Sequence, residues 1–182
     1  DKAQPFFSVF NITVTHESRA FPGSPSRKGK PLVTDPAAIE VPPYYPDTPL
    51  VREELARLYD NVADMDARVA EILGQLEEDG LADSTIVFFW SDHGDGVPRA
   101  KRSLYDAGLR VPLMIRWPKA LHPPFAPGTV SDELVSLIDL APTVLALAGV
   151  EIPAHMQGRV LVGPKAQPAP RYVFAARDRM DI

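Results

Sequence analysis

Two clusters of polar side chains follow apolar runs in this chain and could carry chemistry. Asp92 and His93 come directly after the apolar residues 85–90. A carboxylate and an imidazole at the end of a strand can share a divalent cation, since oxygen ligands suit Mg²⁺ or Ca²⁺ and imidazole also admits Zn²⁺ or Mn²⁺. A turn with a capping Asp and an exposed His explains the same residues, because two ligands alone do not make a metal site.

The second cluster is the string Thr15, His16 and Glu17. His16 follows the apolar, β-branched residues 6–15, and histidine titrates near neutrality, so it could donate a proton to a leaving group. Lys101 lies in a basic stretch after His93 and could bind an anion. Taken alone, each residue is better explained as a surface side chain, so a site depends on their meeting in the fold.

Four apolar or β-branched runs predict the strands that would position these clusters, at residues 6–15, 85–90, 111–117 and 171–175. The run at 85–90 has no polar alternation, which is typical of a strand buried on both faces of a parallel sheet. Strands that alternate with helices indicate an α/β fold, in which ligands bind at the carboxyl ends of strands. Both clusters lie at such ends.

Two helices are predicted between these strands. Apolar residues spaced three or four apart predict the first over residues 50–79, with Thr48 as its N-cap and Gly80 just past its end. The second is expected over residues 140–148, with Asp139 as its cap.

Composition narrows the class of protein. Hydrophobic residues make up 45% and charged residues 24% of the 182 residues, the balance of a globular chain. The net charge of −5 argues against a broad nucleic-acid surface, and the absence of Cys excludes disulfides and thiolate chemistry within this sequence. No apolar run is long enough to span a bilayer, and the residues from Asp1 do not resemble a signal peptide. Proline is so dense over residues 17–49 that a long loop is predicted there.

Four motifs, taken in order along the chain, resemble those of type I sulfatases. They are PFF…THE at residues 5–17, SDHG at 91–94, the lysine-to-GLRVP segment at 101–112 and DLAPT at 139–143. Residues 44–49 and 176–181 resemble the branch of that family that contains heparan N-sulfatase (sulfoglucosamine sulfohydrolase). The resemblance covers nearly the whole chain and keeps the order of the motifs.

The resemblance implies an alkaline-phosphatase-like α/β sandwich with a mostly parallel central sheet, present here as a fragment. Residues 1–182 would form the middle-to-late part of a sulfatase catalytic domain, with a Pro-rich loop at 17–49 and no separate second domain. The implied activity is hydrolysis of sulfate esters or sulfamates, and the implied substrate is a sulfated small molecule or saccharide.

The same resemblance implies roles for four residues. Asp92 and His93 would be metal ligands, with Ca²⁺ as the first choice and Mg²⁺ or Mn²⁺ as alternatives. Lys101 would bind a sulfate oxygen, and His16 would bind sulfate and assist the leaving group. A formylglycine made from Cys or Ser would be the nucleophile, and it is expected upstream of this chain. Cation, ammonium and protonated imidazole would then surround the negative charge that builds up during sulfate hydrolysis.

The chain departs from the family pattern at its first motifs. The two metal-binding carboxylates expected near the amino end are absent, and Thr13 stands where many relatives have a further His. The string from Gly23 to Arg27 resembles the tail of a formylglycine motif, but Gly23 fills the nucleophile position and the string follows His16 instead of preceding it. We interpret that string as a coincidence and expect the 182 residues alone to lack hydrolase activity.

Two other functions stay open from the sequence. A phosphate or phosphonate ester hydrolase or transferase of the same superfamily would share SDHG, and a non-catalytic fragment would keep the fold without the site. The upstream nucleophile would separate the first from a sulfatase, since a phosphate-directed relative would use unmodified Thr or Ser.

Arg outnumbers Lys and Ala is frequent, which suggests a bacterial source, either periplasmic or cytoplasmic. No nucleic-acid partner is expected.

Overall fold

The structure is a computed structural model that describes residues 4–19, 24 and 30–177. These residues fall into two compact units. The first unit contains Asp1–Ala82 and Gly94–Lys101 as far as they are described, and the second contains Asp83–His93 and Arg102–Ile182. A long helix is the main element of the first unit, and a two-stranded sheet lies in the second.

Helix α1, Pro49–Glu78, matches the helix predicted from the spacing of apolar residues. It begins after Thr48, whose Oγ1 accepts a hydrogen bond from the Val51 N–H at 3.3 Å. It ends before Gly80, whose φ of +67° suits glycine far better than other residues. The helix, its N-cap and its stop signal are therefore confirmed.

The inner face of α1 packs on the proline-rich segment that precedes it. Ile39, Leu55 and Ala56 are buried together, and five partly buried side chains surround them: Leu32, Val41, Tyr45, Val51 and Val97. Between residues 30 and 47 the only helical piece is the 3-10 turn Pro36–Ala38. Residues 30–47 of the predicted loop are thus an irregular segment that supplies apolar side chains to the core of the first unit, and residues 20–23 and 25–29 of that loop lie outside the described residues.

Two side chains of α1 satisfy main-chain groups of this irregular segment. Arg52 donates to three nearby carbonyl oxygens at 2.9 to 3.3 Å, those of Pro36, Ala37 and Ile39. Asp60 accepts hydrogen bonds from the N–H groups of Val33 and Thr34 at 3.0 and 2.9 Å. A segment without a regular ladder needs such partners for its polar groups, so α1 organises the loop that precedes it.

The second unit contains strands β1, Val87–Trp90, and β2, Leu113–Arg116. They pair antiparallel, with Trp90 opposite Leu113. The mostly parallel sheet expected from the sequence is therefore not present among the described residues. The side chains of β1 are half-buried or exposed, because two strands cover little of each other's faces. The described residues combine helices and strands, as the α/β class requires. Their sheet contains only β1 and β2.

Helix α2, Asp106–Leu109, lies between the two strands in sequence, and helix α3, Leu140–Leu147, follows them. Gly149 ends the predicted second helix with a φ of +69°. Asp139 stands at the N-cap position of α3, as predicted, but its side chain makes no capping hydrogen bond to that helix. A 3-10 turn, Leu137–Asp139, already leads into the helix, so the carboxylate is directed to other main-chain groups.

Two predicted strands are absent from the structure. Residues 6–13 form no regular element, and the side chains of residues 4–10 are all exposed, Phe7 by 73%. Residues 171–175 are likewise irregular and exposed. A strand needs a neighbour that pairs with its N–H and C=O groups. Within residues 4–19, 24 and 30–177, neither run has such a neighbour, so high β propensity alone did not produce a strand.

Candidate active site

His16 stands directly before the 3-10 turn Glu17–Arg19 in the first unit. Its ring atom Nδ1 lies 2.9 Å from the hydroxyl oxygen of Ser18. The opposite ring nitrogen, Nε2, lies 3.3 Å from Nζ of Lys101. The structure therefore brings together the two residues that the sequence proposed for sulfate binding, although they are far apart in the chain.

Lys101 has a second partner, the carboxylate of Glu17. The distance from Nζ to Glu17 Oε2 is 2.9 Å, and the side chains of Lys101 and Glu17 are only 17% and 20% exposed. The Lys101 N–H donates to the carbonyl oxygen of Asp95 at 2.9 Å. Partial burial raises the pKa of the Asp95 carboxyl, and a hydrogen bond from the Val97 N–H opposes that rise. Lys101 is thus held through both its ammonium group and its main-chain N–H.

The contacts of His16 assign its proton to one ring nitrogen. An ammonium only donates, so Nε2 accepts from Lys101, and the N–H of a neutral ring is then on Nδ1, where it donates to Ser18 Oγ. The other tautomer would satisfy the Ser18 N–H, 3.3 Å from Nδ1, but it would set a ring N–H against a cation. The ring is therefore an acceptor that faces the Lys101 ammonium.

The loop that carries Lys101 has an unusual backbone. Arg99 and Arg102 have φ angles of +71° and +67°, which residues other than glycine seldom adopt and which cluster at functional sites. Gly96 lies directly against Glu17, since a Cβ atom at position 96 would lie 2.9 Å from Glu17 Cα. The close approach depends on glycine, because any side chain at position 96 would collide with Glu17.

Two tyrosines of the proline-rich segment contact the same loop. The Tyr45 hydroxyl donates to the carbonyl oxygen of Pro98, and the Arg99 guanidinium lies 4.9 Å above the ring of Tyr44. Burial raises the pKa of Tyr45 to about 12, with further increases from Tyr44 and Asp95 and a smaller decrease from Arg99. The hydroxyl therefore stays protonated and keeps donating across the neutral pH range.

The predicted metal ligands lie in the second unit, just beyond β1. Ser91 connects them to the sheet: its N–H donates to Pro112 O at 3.3 Å, and its hydroxyl donates to His93 O at 2.6 Å. Oδ2 of Asp92 lies 3.4 Å from Nε2 of His93, and the Asp92 side chain is 80% exposed. An accessible carboxylate and an imidazole therefore lie side by side after the strand.

These two side chains fit part of a metal site. A carboxylate oxygen and a ring nitrogen are donors that divalent cations accept. Among residues 4–19, 24 and 30–177, however, no group of three or more acidic or histidine side chains is arranged to hold a metal ion. A cation bound by Asp92 and His93 would need ligands in addition to these two side chains.

The described residues combine helices with a two-stranded sheet, and the exposed imidazole of His16 lies beside the mostly buried ammonium of Lys101 and carboxylate of Glu17. Comparison with known proteins identifies its family: residues 1–150 match the family model described as Sulfatase. The chain belongs to the sulfatase family.

Several curated relatives carry sulfatase names. The chain is 35% identical to an ulvan-active sulfatase of Formosa agariphila over 98% of its own length, which is 34% of the relative. It is 33% identical to human N-sulphoglucosamine sulphohydrolase over 84% of the chain and 32% of the relative. It is 37% identical to N-acetylglucosamine-6-O-sulfatase of Bacteroides thetaiotaomicron over 53% of the chain and 17% of the relative. The chain spans about a third of the length of the first two.

Sequence reasoning missed one member of the cluster. Glu17 was recognised only as part of a polar string after the first apolar run, and no role was assigned to it. Its signal was its position beside His16, together with Gly96, which permits the close approach.

Most of the string from Gly23 to Arg27 lies outside the described residues, as do residues 178–181 of the last motif. No helix in the described part of the chain combines the length and apolarity needed to cross a membrane.

Proposed function

We propose that the protein containing this chain hydrolyses sulfate esters or sulfamates of sugars. We further propose that residues 1–182 are the middle-to-late part of its catalytic domain, within an alkaline-phosphatase-like fold with a mostly parallel sheet. The names of the relatives support this proposal, since they include an ulvan-active sulfatase and an N-sulphoglucosamine sulphohydrolase. A sulfated saccharide is accordingly the proposed substrate.

Lys101 is proposed to bind a sulfate oxygen. An ammonium has three N–H donors, and the contacts with His16 and Glu17 use two of them. The third is the donor proposed for the anion. Negative charge grows on the sulfate and leaving-group oxygens as the S–O bond breaks, so an ammonium fixed beforehand stabilises the transition state more than the ground state.

His16 is proposed to bind sulfate and to protonate the leaving oxygen. Histidine gains and loses a proton near neutral pH. In the resting arrangement Nε2 is an acceptor beside Lys101. Once Nε2 has taken up a proton from solvent, the ring would transfer it to the leaving oxygen as the S–O bond breaks and would return to the neutral form. Ser18 Oγ would keep the ring oriented through Nδ1.

Asp92 and His93 are proposed as two of the metal ligands, with Ca²⁺ as the first choice and Mg²⁺ or Mn²⁺ as alternatives. When bound, the cation supplies Lewis-acid stabilisation of sulfate charge, and a formylglycine encoded upstream supplies the nucleophile. The adjacent donor atoms support the assignment, with Asp92 Oδ2 3.4 Å from His93 Nε2. The remaining ligands are expected from the part of the protein that this chain does not contain.

The observation that carries the proposal is the 3.3 Å approach of Lys101 Nζ to His16 Nε2 in a chain of the sulfatase family. The test is the purified full-length protein with 4-nitrophenyl sulfate and 4-nitrophenyl phosphate, before and after treatment with a chelator. We expect metal-dependent sulfate hydrolysis that falls about 10²-fold or more in H16A and in K101A. The control variant is K30A, because Lys30 pairs with Asp64 on an exposed surface.

Two results would contradict the proposal. Faster turnover of the phosphate than of the sulfate would favour a phosphate-directed member of the same superfamily. No turnover of either ester, with the metal present, would favour a protein that has kept the fold without catalysis.

A further inference from the structure

We infer that Glu17 is a positioning residue whose carboxylate holds the Lys101 ammonium beside the His16 ring. The inference rests on the proposed function, because it assigns a third residue to the same site. Glu17 Oε2 lies 2.9 Å from Lys101 Nζ, and the same Nζ lies 3.3 Å from His16 Nε2. One ammonium thus joins the carboxylate to the imidazole.

The ion pair between Lys101 and Glu17 is less exposed to solvent than a surface ion pair of the same unit. Lys101 and Glu17 are 17% and 20% exposed, whereas Arg68 and Glu71 on α1 are 61% and 63% exposed. Exposed pairs contribute little, because water screens them and both side chains stay mobile. A mostly buried pair interacts more strongly and restricts its partners. Glu17 is therefore expected to select the orientation of Lys101.

The backbone holds both ends of the pair. Gly96 packs against Glu17 so closely that a Cβ atom would come within 2.9 Å of Glu17 Cα. At the other end, the Lys101 N–H donates to Asp95 O at 2.9 Å. The lysine side chain has a flexible four-carbon stem, so a free lysine samples many rotamers. Glu17 supplies the contact that restricts these rotamers.

Restriction of this kind changes catalysis in a characteristic way. A mobile ammonium still attracts a sulfate ester, so substrate binding depends weakly on its orientation. Transition-state charge is stabilised best by a donor that needs no reorganisation. Loss of the Glu17 carboxylate should therefore lower kcat more than it raises KM.

The kinetic test uses the full-length protein and the variant E17Q, which keeps the shape of the side chain and removes its charge. We expect kcat on 4-nitrophenyl sulfate to fall about tenfold to 10²-fold, with KM changed less than about threefold. In a K101A background the same substitution should have no further effect, because Glu17 acts through Lys101. E71Q is the matched control, since it breaks an exposed ion pair, and it should leave both constants unchanged.

A second measurement does not depend on turnover. Acetylation of lysine amines by sulfo-N-hydroxysuccinimide acetate is followed at each site by peptide mass spectrometry. Lys101 should react more slowly than the half-exposed Lys30, because it is enclosed and paired. E17Q should speed the labelling of Lys101 severalfold and leave Lys30 unchanged, and E71Q should alter neither.

Faster labelling of Lys101 in E17Q, together with the kcat loss that disappears in the K101A background, supports the inference. Unchanged labelling overturns it, as does a kcat loss that persists in the K101A background, which would indicate a structural defect. Changed labelling with unchanged kcat also overturns it. If no variant and no wild-type protein turns over a sulfate ester while E17Q still speeds labelling, the proposed function fails and the anchoring of Lys101 by Glu17 stands.

Discussion

Thr143 connects the start of α3 to the segment around Leu161 through a single hydroxyl group. The residue is completely buried. Its Oγ1 donates to the Asp139 carbonyl at 2.6 Å and accepts from the Leu161 N–H at 2.9 Å. The Asp139 carboxylate, also buried, accepts from the Ser136 and Arg159 N–H groups at 3.0 and 2.9 Å. Polar side chains here take the place of a regular ladder for main-chain groups of the interior.

Replacing Thr143 by Val should therefore destabilise the protein although the two side chains have nearly the same shape. The valine leaves the Leu161 N–H without its partner in a partly buried position. The expected loss is about 1–3 kcal/mol in the free energy of unfolding, measured by urea denaturation. The control is T129V, because the exposed Thr129 hydroxyl donates only to Ala126 O. Equal losses in the two variants would contradict the role assigned to burial.

Helix α1 shows which part of the fold could be predicted from sequence. Its spacing of apolar residues, the Thr48 cap and the positive φ of Gly80 are all local signals. The segment 30–47 offers no such signal, since its conformation depends on Arg52 and Asp60, which come later in the chain. Proline density correctly predicted the absence of helix there, but the residues that hold the segment could not be read from it.

Asp60 makes the attachment of this segment dependent on pH. Burial raises the pKa of Asp60, but hydrogen bonds from the Thr34 hydroxyl and from the Val33 and Thr34 N–H groups, with the Arg57 charge, outweigh burial and hold the pKa below its usual value. A lowered pKa in the folded state means that stability is present above the unfolded value, about 3.9, and is lost as the pH falls through the folded value.

The variant D60N should test this contribution. We expect it to lower the free energy of unfolding by about 1–2 kcal/mol at pH 7, because the charge-assisted hydrogen bonds weaken. The difference from wild type should shrink as the pH drops below about 4, where the wild-type carboxylate becomes protonated. Urea unfolding from pH 3 to 7 measures it. D66N, at an exposed position of the same helix, is the control, and a constant difference across this range would refute the assignment.

The sequence predicted some residues of the candidate site but not their contacts. Motifs can be recognised in a sequence, whereas contacts depend on the fold. His16 and Lys101 came from motif resemblance, and their contact depends on a fold that spacing alone could not supply. Glu17 was missed because a carboxylate beside a histidine has many ordinary explanations, and only its contact with Lys101 in the fold distinguishes it. The direction of the β1–β2 pairing was also beyond local sequence, since it depends on the path of the chain between the strands.

At the scale of the whole molecule, the irregular residues 5–13 stand out because an apolar run lies in water. Phe6, Phe7, Val9 and Phe10 are each more than half exposed, although most residues of this run are aromatic or β-branched. Large exposed apolar patches are normally covered by a partner. Relatives of this chain are about three times longer, so we expect the full-length protein to pair this run as a strand.

Hydrogen exchange tests that expectation directly. Amides of residues 6–12 should exchange at least about tenfold more slowly in the full-length protein than in the 182-residue chain, because a sheet neighbour would then accept their N–H groups. Amides in the middle of α1 serve as the control, since a helix satisfies them within either molecule. If residues 6–12 exchange at the same rate in both while α1 stays protected, the run is not a strand, and the site that follows it at His16 must be held by the 3-10 turn and Lys101 alone.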